Sequence, residues 1–222
     1  MRPIVGIVGK FGKAGRDYML IDNDVRQAIL DCGALPIGVM SPQPFAETDK
    51  PYEETEAELR EVLGEQLAMC QGIVLQGGQR IARYEYELAR IAYERDVPTL
   101  GICRGQTIMA RALGAEIVDV DTEVHNQPGE KYAHKIDVVP GSKFCEIVRY
   151  SQIFVNSRHV RAVRPSEIFR TGAFSPDGYA EVIEAPEKKF YLGTRFHPEN
   201  LYQHDLTMRE IFQAFVRAVA EV

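Results

Sequence analysis

The sequence predicts an α/β fold, a doubly wound (flavodoxin-like) and mostly parallel sheet with antiparallel additions in the C-terminal half. Two observations predict it. In the first half, short apolar runs alternate with amphipathic helical patterns, which is typical of parallel strands joined by right-handed crossovers. In the second half, strand patterns follow one another across turn signals such as Pro-Asp-Gly at 176–178. No repeat, low-complexity tract or linker interrupts the chain, so we expect residues 1–222 to form a single domain.

The individual elements follow from the same periodicities. In the first half we predict strands at 4–8, 35–39, 73–75 and 99–102, helices at 18–32, 53–70, 84–95 and 108–113, and a proline-containing loop at 42–51. In the second half we predict strands at 131–139, 153–155, 168–173, 179–184 and 191–195, then a closing amphipathic helix at 206–219. Acidic residues early in 53–70 suit the positive end of a helix dipole, and Gly33 marks the end of the first helix.

Composition narrows the class of protein. The chain has 222 residues, 45% of them hydrophobic and 26% charged, which is enough for one globular domain with a substantial core. Its net charge of −6 argues against nucleic acid or an anionic membrane surface as a partner. We recognise neither a signal peptide nor an apolar run long enough to span a bilayer, and we expect a cytoplasmic protein without a membrane partner.

The spacing of the cysteines and histidines argues against a metal site and a disulfide framework. The four cysteines lie far apart and form no CxxC pair, which disfavours a zinc site or a disulfide framework. His125, His134 and His204 show no spacing typical of metal ligands. We therefore expect no metal and no cofactor.

Cys103 stands where a predicted strand meets a predicted helix. It is flanked by Gly101 and Gly105, and a sharp strand-to-helix turn needs such small neighbours. At this position the first amides of the helix lower the thiol pKa and are placed to hold an oxyanion. Cys103 is therefore the predicted nucleophile.

A second strand pattern ends at His197, with Glu199 two residues further on. A thiol nucleophile needs a base to take its proton, and the base needs a group that fixes its tautomer. We predict that His197 is the base and that Glu199 orients it. The tandem glycines Gly77 and Gly78 follow another predicted strand and allow the backbone to approach a ligand closely.

Four motifs in one order carry a family resemblance over nearly the whole chain: Gly101-Ile-Cys-Arg-Gly105, Val155-Asn-Ser-Arg-His159, Ser175-Pro-Asp-Gly178 with Glu181-Val-Ile-Glu184, and His197-Pro-Glu199. With them the chain resembles the class I glutamine amidotransferase-like superfamily, and in particular its γ-glutamyl hydrolase branch. The resemblance implies cleavage of a small γ-glutamyl substrate through a γ-glutamyl thioester. It also implies an oxyanion hole formed by Gly77 or Gly78 and the amide of Arg104, with Asn156, Ser157, Arg158 and His159 beside the substrate.

The chain departs from that branch at two places. The family glutamine that stands four residues after the nucleophile is replaced by Thr107, and Gln106 lies one position earlier. We therefore carry Gln106 and Thr107 together as candidates for the substrate contact. Only residues 79–83 separate Gly78 from the next predicted helix, so part of the substrate wall is missing or comes from another subunit.

Three functions stay open from the sequence. The first is a cysteine-dependent hydrolase of γ-glutamyl amide bonds that acts alone, on glutamine or a small γ-glutamyl amide. The second is a glutaminase subunit that delivers ammonia to a separate synthetase. The third is a non-catalytic binding protein of the same fold. A homo-oligomer or a synthetase partner is compatible with the short loop after Gly78.

Overall fold

A computed structural model describes residues 1–13, 17–42 and 57–222. Its strands are β1 (Ile4–Val8), β2 (Lys10–Lys13), β3 (Asp17–Leu20), β4 (Leu35–Val39), β5 (Gly72–Leu75), β6 (Thr99–Ile102), β7 (Ile117–Asp119), β8 (His134–Val138), β9 (Gln152–Val155), β10 (Arg161–Val163), β11 (Arg170–Phe174), β12 (Ala180–Glu184) and β13 (Tyr191–Thr194). Its helices are α1 (Asn23–Asp31), α2 (Ala57–Ala68), α3 (Arg83–Glu94), α4 (Arg104–Ala112), α5 (Thr122–His125), α6 (Lys143–Val148) and α7 (Leu206–Ala220), with a 3₁₀ turn at Pro198–Asn200.

The centre of the sheet is parallel. Strands β4, β1, β5, β6 and β13 lie side by side in that order, and each neighbouring pair runs parallel. Counted along the chain, this is the strand order 2-1-3-4-5 of flavodoxin-like sheets. The last parallel strand, β13, lies directly beside β6, so the ends of these two strands meet at one edge of the sheet.

The second half of the chain extends the sheet in antiparallel fashion. Beyond β13, the order continues β12, β11, β8 and β9, each pair antiparallel, while β10 bridges β12 and β7. The predicted mixed α/β architecture is therefore confirmed.

Helices cover both faces of the sheet. One apolar cluster contains Val25 of α1, Phe144 of α6 and Phe212 of α7, while the other contains Leu63 of α2 and Ile108 of α4. Neighbouring residues of the parallel strands point to opposite clusters, as the pleat of a strand requires. Within the described part of the chain, no helix combines the length and apolar character that crossing a bilayer demands.

The described elements differ from the predicted ones in two respects. The helix predicted at 18–32 begins only at Asn23, because residues 17–20 pair with Lys10–Lys13 as a hairpin. The short elements β7, β10, α5 and α6 were not predicted, since three to six residues are too few to show a period. The start of the helix at 53–70 and nearly all of the loop at 42–51 lie outside the described residues.

Candidate active site

Cys103 occupies a strained elbow between β6 and α4. Its backbone has φ 50° and ψ −100°, a conformation that a residue with a side chain rarely adopts. A Cβ on Gly105 would lie 1.9 Å from the carbonyl oxygen of Leu75, and one on Gly101 would lie 2.3 Å from Sδ of Met109. The two flanking glycines are thus required by close packing on either side of the thiol.

His197 and Glu199 meet Cys103 at the same edge of the sheet. His197 follows β13, the parallel neighbour of β6, and the charge of its ring lowers the pKa of the Cys103 thiol. Nδ1 of His197 lies 2.7 Å from Oε1 of Glu199, which the 3₁₀ turn at Pro198–Asn200 places back against the ring. Cys103 and Glu199 are both only 5% exposed, so this charged chain of contacts is shielded from water.

The surroundings favour a thiolate–imidazolium pair. Burial raises the pKa of the Cys103 thiol, but the charge of His197, the charge of Arg195 and the hydrogen bond from His197 lower it to about 7. Burial lowers the pKa of His197, while the charges of Glu199 and Cys103 and its bonds to both raise it to about 10. Between these values the nucleophile is ionised and its partner carries the proton.

The loop at Gly77 and Gly78 lies against this pair. A Cβ on Gly77 would approach Cε1 of His197 to 2.6 Å, so the backbone contacts the catalytic ring directly. Arg104 anchors the loop, because its guanidinium donates to the carbonyl of Gln76 at 3.2 Å and to Glu85 at 2.7 Å. That the amides of Gly77, Gly78 and Arg104 form an oxyanion hole stays a prediction, on a loop that contacts the His197 ring.

Two of the predicted substrate contacts have other partners. The buried amide of Gln106 donates to main-chain carbonyls of β12 and β13 and is not exposed to solvent. The hydroxyl of Thr107 accepts a 2.6 Å hydrogen bond from Arg195, which also donates to the carbonyl of Cys103 at 2.9 Å. These contacts make Gln106 a cross-link between α4 and the sheet and Thr107 a support for Arg195, and a substrate contact by either residue stays a prediction.

The residues of the segment 156–159 differ in their hydrogen-bond partners and in their exposure. Asn156 is bonded to the main chain of His197, and Ser157 donates to the carbonyl of His125 at 2.7 Å; both are buried. Arg158 alone is exposed, and its guanidinium donates to Asn200 at 3.0 Å beside the turn that carries Glu199. Of the four, only the Arg158 side chain is open to solvent.

The sequence patterns did not single out Arg195 or the surroundings of His159. Arg195 lies two residues before His197 and its charge acts on both Cys103 and Glu181. His159 lies in a buried group with His125, His134 and Glu181. The spacing of His125 and His134 along the chain argued against metal ligation. The fold nevertheless brings both of them together with His159 and Glu181. His204, by contrast, is exposed in a turn.

The fold and the arrangement of Cys103, His197 and Glu199 define a class I glutamine amidotransferase-like domain. The model of the Peptidase C26 family matches residues 79–199, more than half of the chain, and the chain belongs to this family. The matched stretch runs from the loop after Gly78 to Glu199. The protein is thus an enzyme of the hydrolase or amidotransferase type.

Known proteins with similar sequences or folds agree with this class. The chain is 23% identical to the glutamine amidotransferase-like protein RP404 of Rickettsia prowazekii, over 98% of each chain. It is 28% identical to CTP synthase of Streptococcus thermophilus over 72% of its own length, and this match spans only 36% of that longer protein. The glutaminase domain of Trypanosoma brucei CTPS, solved with bound acivicin, has the same fold, with a TM-score of 0.69 at 18% identity over 99% of this chain and 94% of that one.

Proposed function

We propose that the chain is a cysteine-dependent hydrolase of γ-glutamyl amide bonds whose substrate is glutamine or a small γ-glutamyl amide. The observation that carries the proposal is the buried contact chain from the Cys103 thiol through His197 to Glu199, with the thiol pKa lowered to about 7. Such a thiol is a nucleophile at neutral pH, and the adjacent imidazolium is a proton donor for a leaving amine.

The reaction needs two acyl-transfer steps. The Cys103 thiolate attacks the γ-carbonyl carbon, and the C–N bond breaks as His197 gives its proton to the leaving nitrogen. This leaves a γ-glutamyl thioester and a neutral His197. Water then attacks the thioester, His197 takes a proton from it, and the C–S bond breaks to release glutamate and the thiolate. Amides of the Gly77–Gly78 loop and of Arg104 would stabilise the oxyanion, a contribution of about 10²–10³ in rate per donor.

The rim of the site supplies positive charge for a glutamyl unit. Arg158 is exposed beside the Glu199 turn, and a guanidinium binds a carboxylate with two parallel hydrogen bonds. On the opposite side, the stem of Lys10 passes close to Gly78, and its ammonium forms a 2.7 Å ion pair with Asp22. We assign Arg158 to the α-carboxylate of the substrate.

The test is release of free glutamate by the purified chain from glutamine and from a panel of γ-glutamyl amides. Cys103→Ala should abolish release, and Cys145→Ala, which removes a cysteine from α6 away from the site, should leave it unchanged. Release that persists in Cys103→Ala would disprove the mechanism. Arg158→Ala should raise KM for every γ-glutamyl substrate while changing kcat little.

A second candidate is a glutaminase subunit that passes ammonia to a synthetase. It is favoured by the similarity to CTP synthases, whose length the chain spans only in part, and by the short connection between Gly78 and α3. This candidate predicts weak release from glutamine alone and none from substituted γ-glutamyl amides. Strong release from one substituted amide by the isolated chain would exclude it in favour of the hydrolase.

A further inference from the structure

A second group of buried ionisable side chains lies in the antiparallel half of the sheet. It consists of His125 at the end of α5, His134 at the start of β8, His159 between β9 and β10, and Glu181 in β12. One ligand atom from each of the four lies within 4.8 Å of the others. The proposed chemistry at Cys103 uses none of these four side chains, so the group needs an explanation of its own.

The atoms that face one another have no hydrogen-bond partners. Among the described residues, Nδ1 of His125, Nε2 of His134, Nε2 of His159 and Oε2 of Glu181 are all buried without one. The three ring nitrogens lie 3.8, 3.7 and 3.5 Å from Oε1 of Glu181, too far for hydrogen bonds. An unsatisfied buried polar atom costs about 1–3 kcal/mol. Three such ring nitrogens gathered around one buried carboxylate indicate a missing ligand rather than a packing defect.

The outer ring nitrogens, in contrast, have oxygen partners. Nε2 of His125 lies 2.9 Å from Oδ2 of Asp177, whose other oxygen accepts from the Ser175 hydroxyl at 2.5 Å. Nδ1 of His159 lies 3.0 Å from the carbonyl oxygen of Arg161. Donation of the outer N–H to such an acceptor leaves the lone pair on the inner nitrogen. Metal-bound histidines in proteins almost always have this carboxylate or carbonyl partner.

We propose that His125, His134, His159 and Glu181 bind one divalent transition-metal ion, with Zn²⁺ as the best fit. Three imidazoles and one carboxylate are a ligand set for Zn²⁺, and tetrahedral bonds of 2.0–2.1 Å place ligand atoms about 3.3 Å apart. The observed separations of 3.5–3.8 Å from Glu181 need only small shifts to reach that value. Because the protein supplies all four ligands and the group is buried, the site is structural instead of catalytic.

The proposed ion would join four elements that are separate along the chain. It would tie α5, β8, the β9–β10 connection and β12 together beside Asn156 and Arg195, which hold the backbones of His197 and Cys103. The site is therefore distinct from the triad but supports the frame that carries it. Its existence does not depend on the proposed reaction.

The first test measures the metal without measuring activity. The full chain is prepared as Cys103→Ser, so that the active-site thiol cannot bind metal, and its zinc content per chain is determined by mass spectrometry after dialysis. We expect one Zn²⁺ per chain. After metal removal, one equivalent of Co²⁺ should produce the strong visible absorption of a tetrahedral ion. A chain that retains no zinc and gives no such absorption would overturn the proposal.

Variants then locate the ion. In the Cys103→Ser chain, Glu181→Gln and His134→Gln should abolish stoichiometric binding, and His204→Gln, an exposed histidine elsewhere, should not. Asp177→Asn keeps every ligand and should weaken zinc affinity by about 10–100-fold in a competition assay with a chelating dye. Circular dichroism checks the fold of each variant. Equal affinity in Glu181→Gln, Asp177→Asn and His204→Gln would refute the assignment, even with zinc present.

Discussion

Asn156 is bonded to the main chain of His197 in both directions. Its side-chain amide donates to the His197 carbonyl at 2.9 Å, and its side-chain oxygen accepts from the His197 N–H at 2.7 Å. Asn156 is 1% exposed and follows β9, so a residue from the far end of the sheet fixes where the catalytic ring leaves β13. Asn156 is thus a positioning residue.

Replacing Asn156 by Ala should lower kcat by about 10²-fold with KM nearly unchanged, because a misplacement of about 1 Å costs that much in a catalytic group. It should also destabilise the fold by about 1–3 kcal/mol, since two buried main-chain groups lose their partners. Steady-state kinetics and urea unfolding measure the two effects. Asn156→Asp keeps the acceptor and should retain part of the rate. An unchanged kcat in Asn156→Ala would contradict the positioning role.

Glu199→Gln should lower kcat by about 10²–10⁴-fold, because an amide no longer stabilises the imidazolium or fixes its tautomer. The thiol should change as well. The charge of His197 is the main influence that lowers the pKa of Cys103, and Glu199 is the main influence that keeps His197 protonated. The pH dependence of Cys103 alkylation by iodoacetamide reports this directly. Its midpoint should rise in Glu199→Gln, and an unaltered midpoint would show that Glu199 does not support the pair.

The activity of the wild-type protein should be constant between two pH limits and should fall below the lower and above the higher one. The pKa of Cys103 is lowered to about 7, so the nucleophile is ionised above that value and protonated below it. The pKa of His197 is raised to about 10, so the proton for the leaving amine is lost above that value. The profile of kcat/KM should therefore rise near pH 7 and fall near pH 10. A rise only near pH 9, where a free thiol ionises, would exclude the ion pair.

The strand-to-helix elbow and the His197–Glu199 contact could be predicted from the sequence, but the side chains that hold them in place could not. Gly101, Cys103 and Gly105 lie within five residues of one another and His197 and Glu199 within three, so local patterns were enough to single them out. Arg195 and Asn156 act through hydrogen bonds to residues 92 and 41 positions away, and no local pattern reports such contacts.

Two further features depend on contacts that the sequence does not report. Gln106 is a candidate substrate contact because the resembling family has a glutamine one position later, but in the fold its N–H groups donate to carbonyls of β12 and β13. His125, His134, His159 and Glu181 are up to 56 positions apart and converge only in the folded sheet, where β11 alone separates β8 from β12. Side-chain direction and long-range pairing decide these cases, and spacing along the chain specifies neither.

Among substitutions that add one methyl group to the elbow, Gly105→Ala should lower the stability of the fold most. Its Cβ would lie 1.9 Å from the Leu75 carbonyl, so α4 and β5 would have to separate. We expect a loss of at least about 3 kcal/mol, at the upper end for overpacking of a core. Gly129→Ala is the matched control, because a Cβ there has no neighbour within 4 Å. Urea unfolding compares the two variants. Similar midpoints would mean that the elbow relaxes freely.

The buried ion pair between Arg104 and Glu85 leads to the last prediction. Arg104 is 3% exposed and Glu85 is not exposed, and they meet at 2.7 Å while Arg104 also donates to the Gln76 and Arg80 carbonyls. Glu85→Ala would leave a buried guanidinium unpaired, which typically costs about 3–5 kcal/mol.

The same variant should also loosen the loop that carries Gly77 and Gly78, so kcat should fall even in the protein that remains folded. Kinetics at low temperature, referenced to the folded fraction by circular dichroism, separate this effect from the loss of stability. Glu94→Ala, which removes an exposed carboxylate from the same helix, is the control and should change neither quantity much. Full kcat in folded Glu85→Ala would show that the loop keeps its position without the ion pair.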